Sequence, residues 1–265
     1  MKIDYGTMQS PFPISTMMGE IRKPKLREIA KKPMSYEKFY FFEFLITMTP
    51  KEFFTTLNED GENMWNDLSD DIKANLNIFD ILDNNKEIME GFLEMLNFFF
   101  VETVLYSDGV FITLNPDKDY SAQTPEREDI IGVINNNNIS DILSVIQQVC
   151  CISQEEPEPP KFKNRIAERL YKKMQAAEKV KKKKMDLNMT IPNIISAVSG
   201  KHHSLNYLNI YDLTLFQLMD VFGRLFENEV YDIEKRKVSV WGDEKNTFDI
   251  ARWFKNNYDK SKPDS

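Results

Sequence analysis

The six residues Glu155-Glu156-Pro157-Glu158-Pro159-Pro160 limit the fold more than any other stretch of the chain. Proline fixes φ and lacks an amide donor, so neither a helix nor a sheet ladder can run through such a segment. It reads as a stiff, extended connector, with packed parts on either side. The predicted organisation is an N-terminal α+β domain over 1–153, a linker over 154–160, a basic helix over 161–186, a C-terminal helical unit over 187–258 and a polar tail over 259–265.

Charge follows the same divisions. The chain carries −8 overall, but residues 1–33 are net +4, 34–159 net −19, 161–184 net +9 and 185–265 net −2. An acidic body thus joins one intensely basic segment, a pattern that bears on partners and solubility more than on fold. Residues 161–184 contain no Gly or Pro, and Phe162, Ile166, Leu170 and Met174 recur every four positions. That spacing predicts a helix with a narrow apolar stripe. Its 11 basic residues admit three readings: a solvated rod, the default for a charge run; a helix docked on acidic protein surface; or a phosphate-tracking element. The acidic remainder of the chain and the few interleaved aromatics weigh against nucleic acid.

With 9 Gly against 12 Pro and 19 Phe in 265 residues, tight phosphate-cradling loops are scarce and a sizeable helical core is affordable. The arm 1–33, with Pro11, Pro13 and Pro24, predicts an extended strap docked on something, with a short helical turn over 25–32. Ser35 caps a helix over 36–48, apolar on nearly all sides and therefore expected to be buried. Thr49-Pro50-Lys51-Glu52 reads as a capping box with proline at the first helical position, after which Phe53, Phe54 and Leu57 face inward. Asn85 caps a helix whose Ile88, Phe92, Met95, Leu96 and Phe99 share one face. Residues 101–106 and 110–114 flank Asp108-Gly109 and predict a hairpin; Ile130–Ile134 supplies a third strand. Asn138 or Ser140 caps a helix to about 149, with Ile142, Leu143, Ile146, Val149 and Cys150 inward. Beyond the basic segment, Thr190 caps a helix ending at Gly200, read as its C-cap glycine. Asp212 caps a helix over 213–227, residues 238–242 form a short strand or loop, and Thr247 caps a last helix to 258 packed through Phe248, Ala251 and Phe254. The fold class is mainly α, with a small antiparallel hairpin or meander around 101–134.

The residues argue against several chemistries. The two cysteines, Cys150 and Cys151, are adjacent, as are the two histidines, His202 and His203, and neighbouring side chains rarely converge on one tetrahedral ion. They read as a buried cysteine pair at a helix end and a histidine loop in a reducing compartment. Ser199-Gly200-Lys201-His202 lacks the upstream glycine and following Ser/Thr of a phosphate loop. Acidic pairs such as Asp70-Asp71 and Glu128-Asp129 read as solvated faces. The expectation is therefore no catalytic residue, no metal and no cofactor. The first residues have no apolar signal core and no stretch reaches the ~20 apolar residues of a membrane span, so an intracellular, soluble chain without a membrane partner is expected.

Three C-terminal stretches carry a resemblance: Ile191-Pro192-Asn193-Ile194-Ile195-Ser196-Ala197-Val198; Ser204-Leu205-Asn206-Tyr207-Leu208-Asn209-Ile210-Tyr211-Asp212-Leu213-Thr214; and Trp241-Gly242-Asp243. Together with Tyr5-Gly6-Thr7-Met8 and Ser10-Pro11, they resemble uncharacterised proteins from tail-gene clusters of phages that infect Gram-positive bacteria. The resemblance spans most of the chain, weakest in the middle, and brings no catalytic or binding residues with it. It implies a tail-assembly role, in the host cytoplasm or in the virion, as a chaperone-like factor for a tape-measure-like protein. A structural virion component, and an early phage protein binding nucleic acid or a host factor through the basic helix, are the alternatives. Self-association is also open. Phe and Met clusters make plastic recognition surface, and the expected contact residues are Lys181, Lys182, Lys183 and Lys184 on the basic helix, Phe216 and Met219 on the helix from 213, and Trp241.

Overall fold

The computed structural model describes residues 2–57, 60–120, 125–152, 187–244, 246–256 and 258. The linker, the basic helix and the tail lie outside the described residues. The chain divides into two compact units, Met1–Ile152 with Thr214–Phe216, and Ser153–Leu213 with Gln217–Ser265.

The first unit is helical around a small sheet. Its arm is folded rather than extended: α1 (Tyr5–Gln9), the hairpin β1 (Ile14–Thr16) and β2 (Gly19–Ile21), and α2 (Leu26–Ala30). The prolines stand at the element ends, Pro11 and Pro13 before β1 and Pro24 before α2, where a missing donor costs nothing. Asp4 caps α1 by accepting from the Thr7 amide at 2.9 Å. Met8, Ile14, Ile21, Leu26 and Ile29 are buried. The arm is sewn to its own unit by backbone bonds: the Arg22 amide donates to Phe99 O at 2.8 Å and the Val101 amide to Glu20 O at 2.9 Å.

Six helices then precede the sheet's hairpin. α3 (Tyr36–Thr47) starts at Ser35, whose hydroxyl accepts from the Lys38 amide. Phe39, Phe42, Leu45 and Ile46 are buried, but Phe41 and Phe44 stack on each other at 6.3 Å with two fifths of their surface exposed. The expected burial on all sides therefore holds only in part: α3 packs against α2, α8 and α9 and Phe44 meets Phe53 edge-on at 6.4 Å, yet Phe41 and Phe44 keep part of their surface in solvent. α4 (Pro50–Leu57) opens with the expected capping box: Glu52 accepts from the Thr49 amide at 2.9 Å and Thr49 Oγ1 accepts from the Glu52 amide at 3.3 Å. Three short helices, α5 (Gly61–Asp67), α6 (Asp70–Asn75) and α7 (Ile78–Asn84), lead to α8 (Lys86–Phe99). All five residues expected on the inner face of α8 are buried.

β3 (Thr103–Ser107) and β4 (Val110–Leu114) pair antiparallel with Thr103 opposite Leu114 and Ser107 opposite Val110. Asp108 and Gly109 take φ of 51° and 76°, the positive pair that a two-residue primed turn demands. β5 (Ile130–Ile134) joins β4 with Phe111 opposite Ile134, giving the order β3-β4-β5. α9 (Ile139–Val149) buries Ile142, Leu143, Ile146 and Val149, and Cys150 follows them inside. The sequence reading thus anticipates the mainly α fold with its small meander. It misses the β1–β2 hairpin, whose three-residue strands are too short to show a period.

The second unit holds α10 (Ile191–Lys201) and, from Gln217 on, α11 (Leu215–Trp241), with 3-10 turns at Leu187–Met189, Ile210–Asp212 and Arg252–Phe254. Gly200 lies inside α10 and His202 takes the C-cap position, so Gly200 is not a cap glycine. α11 is 27 residues long, about 40 Å at 1.5 Å per residue. The expected stop near 227 and strand at 238–242 do not occur. Between Arg224 and Trp241 there is no Gly or Pro, and Glu227, Glu229, Glu234, Lys235, Arg236 and Lys237 are strong helix formers that outweigh the β-branched Val238 and Val240. Gly242, at φ 76°, ends the helix. The predicted helix from Thr247 is also absent: only the single turn Arg252–Phe254 forms.

Candidate functional site

The C-terminal end of α11 is the most constructed surface of the second unit. Gly242 supplies the left-handed residue that turns the chain, its amide donating to Val238 O at 2.9 Å. Asp243 then accepts from the amides of Thr247 and Phe248, both at 2.9 Å. Those two donors, the Phe248 amide foremost, hold its carboxyl below the usual carboxylate range, since hydrogen bonds to the ionised form favour it. The chain is thereby directed back along α11. Tyr231 and Phe248 meet with ring centroids 5.4 Å apart. Arg252 closes the return by donating to Glu227 at 2.8 Å and to Glu234 at 3.2 Å. Lys201 on α10 pairs with Glu229 on α11 at 2.7 Å.

Between the helix end and the returning segment lies a cleft of about 360 Å³ lined by Glu234, Lys237, Val238, Trp241, Gly242, Asp243, Glu244, Thr247 and Phe248. Trp241, Val238 and Phe248 make its apolar surface, while three carboxylates outnumber the one lysine at its polar positions. Such a mouth suits a side chain with an apolar stem and a cationic head. Among the described residues, no group of three or more His, Cys, Asp or Glu stands close enough to hold a metal ion, and no helix is long and apolar enough to cross a membrane.

Of the expected contact residues, Trp241 is 77 % exposed and lines the cleft. Phe216 is buried, edge-on to Tyr5 at 6.1 Å within the first unit. Met219 is half-buried. The helix carries these three along one element without bringing them together. Lys181, Lys182, Lys183 and Lys184 lie outside the described residues. The adjacent histidines do form a loop: His202 Nδ1 accepts from the Leu205 amide at 3.1 Å.

The sequence places Phe226 on the buried face of the helix from 213, with Leu215, Leu218, Phe222 and Leu225, but it is 63 % exposed; Ile233 and Val240, 65 % and 69 % exposed on α11, were missed. Their seven-residue spacing was visible, but it has meaning only on one continuous helix. Ile250, Trp253 and Phe254 on the returning segment are exposed as well.

Residues 179–258 match the family model of the YomV second domain. The matched segment takes in α10, α11, the cleft and the returning segment. It is consistent with a phage protein, and is silent on tail genes and chaperones. No curated protein and no solved structure matches the chain.

Proposed function

We propose that this is a non-enzymatic phage protein that acts by holding another protein, a tail-assembly factor whose client is a tape-measure-like chain. The observation that carries the reading is the exposed Trp241 beside an acidic-rimmed cleft, in a unit that also exposes Ile250, Trp253 and Phe254. A tape-measure-like client is a long helical chain with apolar faces, and such faces aggregate unless covered. Trp241 is the anchor, because a rigid aromatic at a partly apolar cleft is the residue type that dominates binding energy. Lys181 to Lys184 contribute to the client contact through acidic protein surface rather than through nucleic acid, and Met219 and Phe216 support the helix that presents Trp241.

The test is co-expression of this chain with the tape-measure protein of the same phage. The expected outcome is a soluble complex with the wild-type chain. Trp241→Ala weakens it by about 2 kcal/mol, roughly thirtyfold in affinity, the scale of an interface hot spot, while thermal unfolding is unchanged because Trp241 is exposed. A client equally insoluble with and without the chain contradicts the reading.

A further inference from the structure

The sheet β3-β4-β5 is apolar on both faces. Its register sets Leu105, Ile112 and Val133 in one row across the three strands, and Val104, Thr113 and Gly132 in the next. Successive residues of a strand point to opposite faces, so the two rows belong to opposite sides. On the inner side Val104, Phe111, Thr113 and Ile134 have no exposed surface. The outer side is open: Val133 is 38 % exposed, Ile131 47 % exposed, and Leu105, Val110 and Ile112 are half-buried. No residue of the three strands is charged. An antiparallel sheet with one face in water alternates apolar and polar residues, and β5, reading Ile-Ile-Gly-Val-Ile, does not. The outer face has the composition of a covered one.

The charges at the ends of the strands say what kind of cover fits. Residues 101–134 hold seven acidic and two basic side chains. Asp108 at the β3–β4 turn, and Asp117 and Glu128 at the other end of the strands, are exposed and make no ion pair among the described residues. Of the two cations, Lys118 is committed to Asp129 and Arg127 is exposed. A second copy laid on this face sets acidic strand ends against acidic strand ends, whereas a cationic cover meets attraction.

The chain itself carries such a cover, in a segment outside the described residues. Between 161 and 174 there are six basic side chains and one acidic, and Phe162, Ile166, Leu170 and Met174 recur every four positions. Residues four apart share a helix face, so these four make a stripe about 18 Å long, close to the length of a five-residue strand at about 3.3 Å per residue. The chain also reaches. Asn138, at the head of α9, donates to Val133 O at 2.9 Å, which places the start of α9 at the sheet. The 11 residues of α9 span about 16 Å, and the stretch from Ile152 to Phe162 reaches about 30 Å when extended.

We propose that the apolar stripe of residues 162–174 covers the outer face of the β3-β4-β5 sheet of the same chain, with its basic side chains toward the acidic strand ends. The inference is independent of the client reading, because Lys181 to Lys184 begin seven residues beyond Met174 and the Trp241 cleft is not involved.

Amide hydrogen exchange of the purified full chain, followed by mass spectrometry, tests it, since a docked segment exchanges slowly and an undocked one does not. The expected result is that peptides covering 162–174 exchange at least about tenfold more slowly in wild type than in Leu170→Asp. Val133→Asp, made on the sheet side, releases the segment to the same extent. Val133 is more than a third exposed, so the fold is retained, which circular dichroism checks; Leu170→Asp carries the test alone if that variant fails to fold. The protection is equal at about 1 and about 50 µM, because a contact within one chain does not depend on concentration. A segment unprotected in wild type overturns the proposal. So does protection that Leu170→Asp or a folded Val133→Asp leaves intact, or protection that grows with concentration, which assigns the cover to a second copy.

Discussion

Single residues report how tightly the first unit is assembled. Glu43 on α3 is pushed up to about 7 by burial alone, because removal from water disfavours the charged form. Cys150, inside the same region, is raised well above its ordinary value by burial and then by the charges of Glu43 and Cys151. A carboxyl raised in the folded state binds its proton more tightly folded than unfolded. Its contribution is fully present below the unfolded value of 4.5 and is lost as pH rises through about 7. Solvent still reaches part of the side chain, so the loss is about 1–2 kcal/mol. Glu43→Gln, which cannot ionise, is therefore expected to be more stable than wild type at pH 8 and to lose that advantage by pH 5, read from denaturant midpoints at both values. Gly132 makes the opposite kind of point. A Cβ there would lie 2.6 Å from Met18 Cα, and the hairpin tip is held on the sheet by Thr113 Oγ1, 2.6 Å from Met18 O. Backbone cannot step aside as a side-chain tip can, so Gly132→Ala is expected to cost about 1–3 kcal/mol, measured as a lowered unfolding midpoint.

Helices whose apolar residues and caps agree were legible from the sequence, and those whose length depends on charged residues were not. α8 shows the first case, its inner face and its Asn85 cap both fixed by local pattern. α11 shows the second. Val238, Ser239, Val240 and Trp241 read as a strand by propensity, yet the preceding turns carry the helix through them until Gly242 takes a positive φ. That error kept Ile233 and Val240 off the helix that carries Phe226. α5, α6 and α7 were missed for a different reason: six or seven residues give too few turns for a period to appear. Gly223 sits within α11 with open space where a Cβ would be. Gly223→Ala is expected to stabilise the protein by about 0.5–1 kcal/mol, the backbone entropy that glycine loses in a helix, seen as a raised thermal midpoint. Arg252→Ala removes both bonds that hold the returning segment to the helix. It is expected to hasten chymotryptic cleavage at Trp253 and Phe254 while leaving helical circular dichroism nearly unchanged, because opening is local.

At the scale of the whole molecule, the chain combines a densely packed acidic body with a second unit that buries Ile194, Ile195, Val198 and Leu218 but leaves several large apolar side chains in solvent. Phe39, Phe42, Phe53, Phe92, Phe99 and Phe111 are fully buried in the first unit, so its aromatic richness serves the core. The second unit keeps Phe226, Trp241, Trp253 and Phe254 outside, and composition alone does not distinguish the two uses. Phe216 illustrates the difficulty: it reads as a contact residue in sequence, yet the structure buries it against Tyr5, two hundred positions away in the chain and invisible to local pattern. Trp241, expected in a short strand or loop, stands instead at the end of α11 and is 77 % exposed. The central claim is that this exposed aromatic anchors a partner protein. Its most direct measurement is the affinity of the purified full chain for the tape-measure protein of the same phage, by calorimetry, for wild type and Trp241→Ala. The account predicts measurable binding weakened roughly thirtyfold by the substitution. Equal affinity of the two chains, or no binding by either, contradicts it.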